Sequence, residues 1–358
     1  MNRVSARISR SLIDISRIVD QLEPVLGKKA PVMATIPLKT SQGKVAGQQT
    51  YRGVPFPSVI QCNEDADLDR TLAWVRHERT VISDRMQESG AILFRGFPLR
   101  GVDDFHAFVV AFDMPNFAYD DCLSNAVRVN WTDRVFSANE APPDVTIYLH
   151  HEMAQTPIFP SKLFFYCQKA AEEGGATPLC RSDVLLEQLQ QECPQFLQDC
   201  REKGLKYNNV MPAENDPKSG MGRSWKSTLT AETREEAEAR LSRLDYRWEW
   251  LDNDCLSVTT PVLPAVRDLG NSSSFFNQLI AAFRGWKDSR NDPSKAIRHG
   301  DDSALDIVSL MRAVEIADEL TFDVPWQAGD VALLDNYRVM HGRRFFVGTR
   351  KVLASLVE

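Results

Sequence analysis

Strand-like runs stand on both sides of a long, mostly helical stretch, and this order constrains the fold more than any other feature. From Val127 the chain reads "VRVNWTDRVFSANEAP", "TIYLHHEMAQ" and "SKLFFYCQKA", each bounded by Pro, Gly or Asn. Strands return at the end, in "FDVPWQAGDVALLDNYRVMHGRR" and "TRKVLASLVE". Between them lie the helical runs "SDVLLEQLQQECPQFLQDCREKG", "SFFNQLIAAFRGWKD" and "SALDIVSLMRAVEIADEL", a charged helix "TAETREEAEARLSRL" that Thr230 is expected to cap, and one strand run, "YRWEWLDNDCLSVTTPVLPAV". Upstream, Leu68, Leu72, Val75 and Val81 or Ile82 recur at helical spacing until Ser89-Gly90. "AILFRGFPL" then reads as a buried strand and "GVDDFHAFVVAFDM" as a second helix, while the first 26 residues also carry helical periodicity. Strands closing around a long insert predict a mainly β chain with α decoration, a barrel or jelly roll. No GxGxxG or P-loop points to a doubly wound sheet.

At 358 residues with 43% apolar side chains, the chain has material for a large core. A net charge of −7 with no basic stripe argues against nucleic acid. No apolar run approaches the ~20 residues that span a bilayer, and the N-terminus lacks the apolar core of a secretory signal. The seven cysteines are odd in number, irregularly spaced and free of CxxC, which predicts free, mostly buried thiols in a reducing cytoplasm.

Two of the six histidines are adjacent in "YLHHEMAQ". On a strand, residues i and i+2 share a face, so His150 and Glu152 form a candidate chelating pair and His151 points away. By itself an H-x-E is weak evidence. A third ligand must come from His77, His106, His299 or His341. The first two sit in helical patterns, His299 reads as loop surface in "SKAIRHGDD", and His341 ends a strand that turns polar. Two imidazoles and a carboxylate suit non-heme Fe(II), with three coordination positions left open. Zinc hydrolases use a similar set, usually on a helical HExxH that is absent here.

Several ordered segments resemble the Fe(II)/2-oxoglutarate-dependent dioxygenases of the TauD/TfdA superfamily, in its clavaminate synthase-like and syringomycin aspartate-hydroxylase-like branch. They are "GAILFRGFPL", "RVFSANEAPPDVTIYLHHEMAQTPIFPSKLFFYC", "EEGGATPLCRSDVLLEQL" and "GDVALLDNYRVMHGRRFFVGTRKVLASL", and the likeness runs from about Gly90 to the C-terminus. "GRSWKSTL" and "FFNQLIAAFRGWKDSRNDPSKAI" also look like plant clavaminate synthase-like proteins. The resemblance implies a double-stranded β-helix over residues 90–358, with a helical insert at about 182–325 and an N-terminal helical and loop region, 1–89, packing on it. It makes His150, Glu152 and His341 the iron ligands. Thr177 and Arg350 become the residues that hold 2-oxoglutarate, the guanidinium pairing with the far carboxylate. O2 is the third cofactor. Where the family often has H-x-D, this chain has H-x-E; the retained carboxylate argues against halogenation. Ala354 stands where the taurine enzyme clamps its sulfonate, so a taurine-like substrate has no anchor.

The implied reaction converts 2-oxoglutarate to succinate and CO2 and oxidises an unactivated C–H, most simply to an alcohol. Desaturation and ring closure are variants. The expected substrate is a small amino acid or derivative in secondary metabolism, free or tethered to a carrier protein. In this branch the segment holding Arg134, Ser137, Asn139 and Glu140 lies near the substrate, and Asn336 is a further candidate there or a residue that orients the strand end. Arg343 and Arg344 face either the cavity mouth or water. A zinc-dependent cupin-like hydrolase and a non-catalytic jelly roll are the competing classes.

Overall fold

The computed structural model describes residues 38–118 and 123–358, so the helical reading of the first 26 residues lies outside them. Two sheets carry the fold. The larger has seven strands in the order Thr40–Gln42, Ser58–Cys62, Ala91–Arg95, Val331–Asp335, Lys162–Lys169, Lys351–Val357 and Phe136–Ser137. Its neighbours are antiparallel except Ser58–Cys62, which runs parallel to Ala91–Arg95. The smaller sheet orders Phe322–Val324, Thr177–Arg181, Val339–Arg343 and Ile147–His150, all antiparallel.

The larger sheet is buried on both faces, which is why "AILF" and "VALL" read as unbroken apolar runs. Leu93, Phe165, Ala332 and Leu334 meet Leu179 and Val339 of the smaller sheet in the core between the two. The alternate residues Ile92, Phe94, Phe164 and Leu333 pack against helices Leu68–Ser89 and Val102–Val110. On the smaller sheet Leu149, Cys180 and Met340 point outward, into a third core shared with helices Ser182–Glu192, Leu279–Gly285 and Ile307–Glu319. This is a jelly roll with helices on its outer faces, as the sequence predicts.

Three expectations need correction. Strand Ser58–Cys62 is hydrogen-bonded into the larger sheet and helix Leu68–Ser89 covers it. Residues 38–89 therefore supply a strand of the larger sheet as well as a helix packed on it. Second, the insert is not only helical. Strands Arg247–Trp250, Leu256–Thr259, Leu205–Met211 and Ile297–His299 form an antiparallel sheet. His299, read as loop surface, is 2% exposed there and lies opposite Leu205. Third, the charged helix Arg234–Arg243 is capped by Thr233, which forms a capping box with Glu236. Thr230 has φ 47 and ends the preceding helix, Trp225–Leu229. Among the described residues no helix is long and apolar enough to cross a membrane, and the described cysteines are free.

Candidate active site

Ile147–His150 and Val339–Arg343 are adjacent in the smaller sheet, with His150 opposite His341. Their ring centroids lie 4.4 Å apart. The ladder slips just after His341, at Gly342, where a Cβ would stand 2.4 Å from the Ile147 carbonyl oxygen. Only glycine lets the two strands close so tightly.

The metal-bearing strand is shorter than "TIYLHHEMAQ": it stops at His150, and the chain turns back with Met153 at φ 57. Alternation nevertheless holds for two more residues. Glu152 joins His150 on the inner side, while His151 is fully buried against Phe276, its Nδ1 donating to the Asn336 carbonyl. Asn336 clamps this turn. Its Oδ1 accepts from Glu152 N at 2.7 Å, and its Nδ2 donates to the carbonyls of Glu152 at 3.0 Å and Pro160 at 2.8 Å. The turn is also held from the insert, where Gln278 donates to the His151 carbonyl. Asn336 is wholly buried and lines neither of the chambers described below; its amide holds the Glu152 backbone.

One donor atom from each of His150, Glu152 and His341 lies within 4.8 Å of the others. Glu152 Oε2 is 3.4 Å from His341 Nε2 and 4.0 Å from His150 Nε2. Donors on one face of an octahedral cation at ~2.0–2.2 Å stand about 3 Å apart, so the three side chains surround a cation-sized gap and draw in by up to about 1 Å to share one ion. His150 Nδ1 donates to the Tyr148 carbonyl at 2.7 Å, which leaves the Nε2 lone pair facing the cluster. Burial, then His341, lowers the His150 pKa to about 4, so the ring is neutral, as a ligand must be. Burial pushes the Glu152 carboxyl up, but Arg128, then His341 and His150, outweigh it and hold it well below the usual carboxylate range. The donor set fits a divalent cation.

A narrow inner chamber of about 50 Å³ opens beside the cluster. Thr177 and Arg350 both line it. Arg350 Nε donates to the Gly175 carbonyl at 2.8 Å and Nη2 to Thr177 Oγ1 at 3.3 Å. Trp326 Nε1 also donates to that oxygen, at 2.9 Å, so the hydroxyl proton remains to be given to a bound group. Gly174 and Gly175 both have positive φ, and a Cβ on Gly175 would press on the Arg350 stem at 3.0 Å. The Gly-Gly-x-Thr turn thus seats the arginine. Arg343 lines the same chamber and donates to the carbonyls of Ala141, Pro142 and Val145, whereas Arg344 is half-buried and pairs with Asp323. Burial lowers both Arg343 and Arg350 to about 10, and both stay charged at neutral pH.

An adjoining outer chamber of about 260 Å³ also meets the cluster. His150, Glu152, Asn139 and Arg128 stand in the walls of both chambers. Arg128 was not singled out from the sequence; its one sign is a charge set between Val127 and Val129 in an apolar alternation. Of the segment expected at the substrate, only Asn139 arrives, with its Oδ1 accepting from Ala141 N. Arg134 donates to Asn116 Oδ1 and to the Met114 carbonyl, Ser137 Oγ accepts from Val129 N, and Glu140 is exposed. None of these three lines a chamber: Arg134 is turned onto residues 114–116, Ser137 onto the hairpin's own backbone and Glu140 toward solvent.

Comparison with known proteins agrees with this geometry. Residues 53–356 match the model of the taurine catabolism dioxygenase TauD, TfdA family, so the likeness begins well before Gly90. A clavaminate synthase-like protein of Arabidopsis thaliana is 39% identical over 319 residues, 87% of this chain and 96% of that protein. The dapdiamide synthesis protein DdaC of Enterobacter agglomerans is 28% identical, over 86% of this chain and 92% of its own. An asparagine oxygenase solved with Fe(II), 2S,3S-3-hydroxyasparagine and succinate has the same fold, with a TM-score of 0.51 at 12% identity over 81% of each chain. The chain belongs to the TauD/TfdA family and is an Fe(II)- and 2-oxoglutarate-dependent oxygenase.

Proposed function

We propose that His150, Glu152 and His341 hold Fe(II), that Thr177 and Arg350 hold 2-oxoglutarate in the inner chamber, and that the outer chamber takes a small amino-acid-like substrate for hydroxylation. One observation carries this reading: the three donors stand beside two chambers whose walls share His150, Glu152 and Arg128, and the half-buried Arg350 lines one of them. Bound there, the metal couples oxidative decarboxylation of 2-oxoglutarate by O2 to oxidation of the substrate, R–H plus 2-oxoglutarate plus O2 giving R–OH, succinate and CO2.

The protein's part is placement. Arg350 neutralises the carboxylate at the far end of the inner chamber, and the Thr177 hydroxyl donates to it. Neutral His150 and ionised Glu152 need no proton change to serve as ligands. The outer chamber lies below the ~300–1,000 Å³ of drug-sized sites, which favours a compact substrate. Asp216 and Asp288 on its wall are paired with Arg290, while Lys218 and Lys287 form no ion pair among the described residues. The rim therefore favours an anionic group such as a carboxylate. The dapdiamide synthesis relative adds support for a secondary-metabolic amino-acid derivative, free or carrier-bound.

The test is a screen of amino acids and their carrier-protein thioesters for substrate-dependent succinate formation, with the product weighed after turnover in ¹⁸O2. A gain of one labelled oxygen supports hydroxylation. Activity that persists without O2 and with zinc replaces this reading by a hydrolase.

A further inference from the structure

We propose that Arg128 is a positioning residue that makes Glu152 a one-oxygen metal ligand; the inference rests on the metal reading above. Arg128 Nη2 donates to Glu152 Oε1 at 2.8 Å, and the two side chains are only 6% and 4% exposed. The other oxygen, Oε2, faces His341 Nε2 at 3.4 Å and His150 Nε2 at 4.0 Å. The carboxylate is thus divided, one oxygen turned to the guanidinium and one to the imidazoles.

The division matters because carboxylates hold cations through either one or two oxygens. Two imidazoles and one carboxylate oxygen leave three of six octahedral positions for co-substrates. A second oxygen from Glu152 would take one of the three. Arg128 prevents this by engaging Oε1 in a charge-assisted hydrogen bond, which a cation would have to break. The guanidinium itself is held, with its carbon 5.1 Å from the centre of the Phe136 ring. Asn336 fixes the backbone of Glu152 and Arg128 fixes its head, so the residue is anchored at both ends. Arg128 and Glu152 stand together in the walls of both chambers.

The experiment compares wild type, Arg128→Gln and Arg128→Lys as full-length proteins. Each is loaded anaerobically with Fe(II) and then 2-oxoglutarate, and the visible charge-transfer band is recorded. Thermal midpoints of the metal-free proteins are measured in parallel. R128Q is expected to bind iron yet give a displaced, weaker band, and to lose ~10–100-fold in 2-oxoglutarate-dependent O2 consumption. R128K, which keeps the charge without the fork, is expected to fall between the two. A merely structural arginine would change the thermal midpoint and leave the band of the folded fraction where wild type has it; that result overturns the proposal. So does an R128K band no closer to wild type than that of R128Q. If R128Q does not fold, R128K alone decides, by a displaced band or an unchanged one. Absence of the band from wild type would instead overturn the metal and 2-oxoglutarate reading.

Discussion

Arg350→Ala tests the inner chamber. The side chain is half-buried, with Nε 2.8 Å from the Gly175 carbonyl and Nη2 3.3 Å from Thr177 Oγ1, and it lines the inner chamber. Removing one partner of a buried, hydrogen-bonded charge pair costs about 2–5 kcal/mol, equivalent to ~30–4,000-fold in affinity. The lower half of that range is expected, because Arg343 leaves a second positive charge in the same chamber. Its three bonds to the carbonyls of Ala141, Pro142 and Val145 tie it to its own wall of the chamber, so it supplies charge from a different position. Anaerobic titration of the Fe(II)-loaded protein with 2-oxoglutarate should therefore show a Kd raised by ~30–300-fold. Iron affinity should hold, because Arg350 touches none of the three donors. Arg350→Lys should recover only part of the loss, having charge but no planar fork. Unchanged 2-oxoglutarate binding in R350A, or equal loss of iron and 2-oxoglutarate, would refute the reasoning.

Asn336→Ala removes three hydrogen bonds that fix the Glu152 turn and should weaken iron binding ~10–100-fold; iron titration giving wild-type affinity would count against the clamp. Gly342→Ala would drive a Cβ to 2.4 Å from the Ile147 carbonyl, so the two histidine strands must part, and soluble protein from this variant should bind little iron. Burial holds His151 near pKa 3, and burial with His341 holds His150 near 4, against ~6.5 in the unfolded chain. Both values are depressed, so their stabilising effect is complete above pH ~6.5 and is lost as pH falls toward 4. Thermal midpoints of the metal-free protein at pH 7.5, 6.5, 5.5 and 4.5 should fall with acidification, and a flat profile would contradict this assignment of buried neutral rings.

Short-range pattern made part of this site legible and long-range pairing hid the rest. Two-residue alternation put His150 and Glu152 on one side and His151 on the other, and the turn that follows His150 keeps that arrangement. Where the strand stops could not be read, since the turn is held by Asn336, 184 residues away. The same limit explains His299: polar neighbours suggest a loop, but its partner Leu205 lies in a distant strand. Arg134, Ser137 and Glu140 failed for a different reason. Nearness in sequence to the metal strand does not set the direction of a side chain: Arg134 bonds to the Met114 carbonyl, Ser137 to Val129 N, and Glu140 is exposed. Thr230 was a misreading of local chemistry, since the T-x-x-E signature of a capping box begins at Thr233.

The most direct test of the account is anomalous diffraction at the iron edge from crystals grown anaerobically with Fe(II). One peak is predicted, within about 2.0–2.3 Å of His150 Nε2, His341 Nε2 and a single oxygen of Glu152. A peak elsewhere, or a fully loaded solution protein whose crystals show no iron between those three side chains, would contradict it.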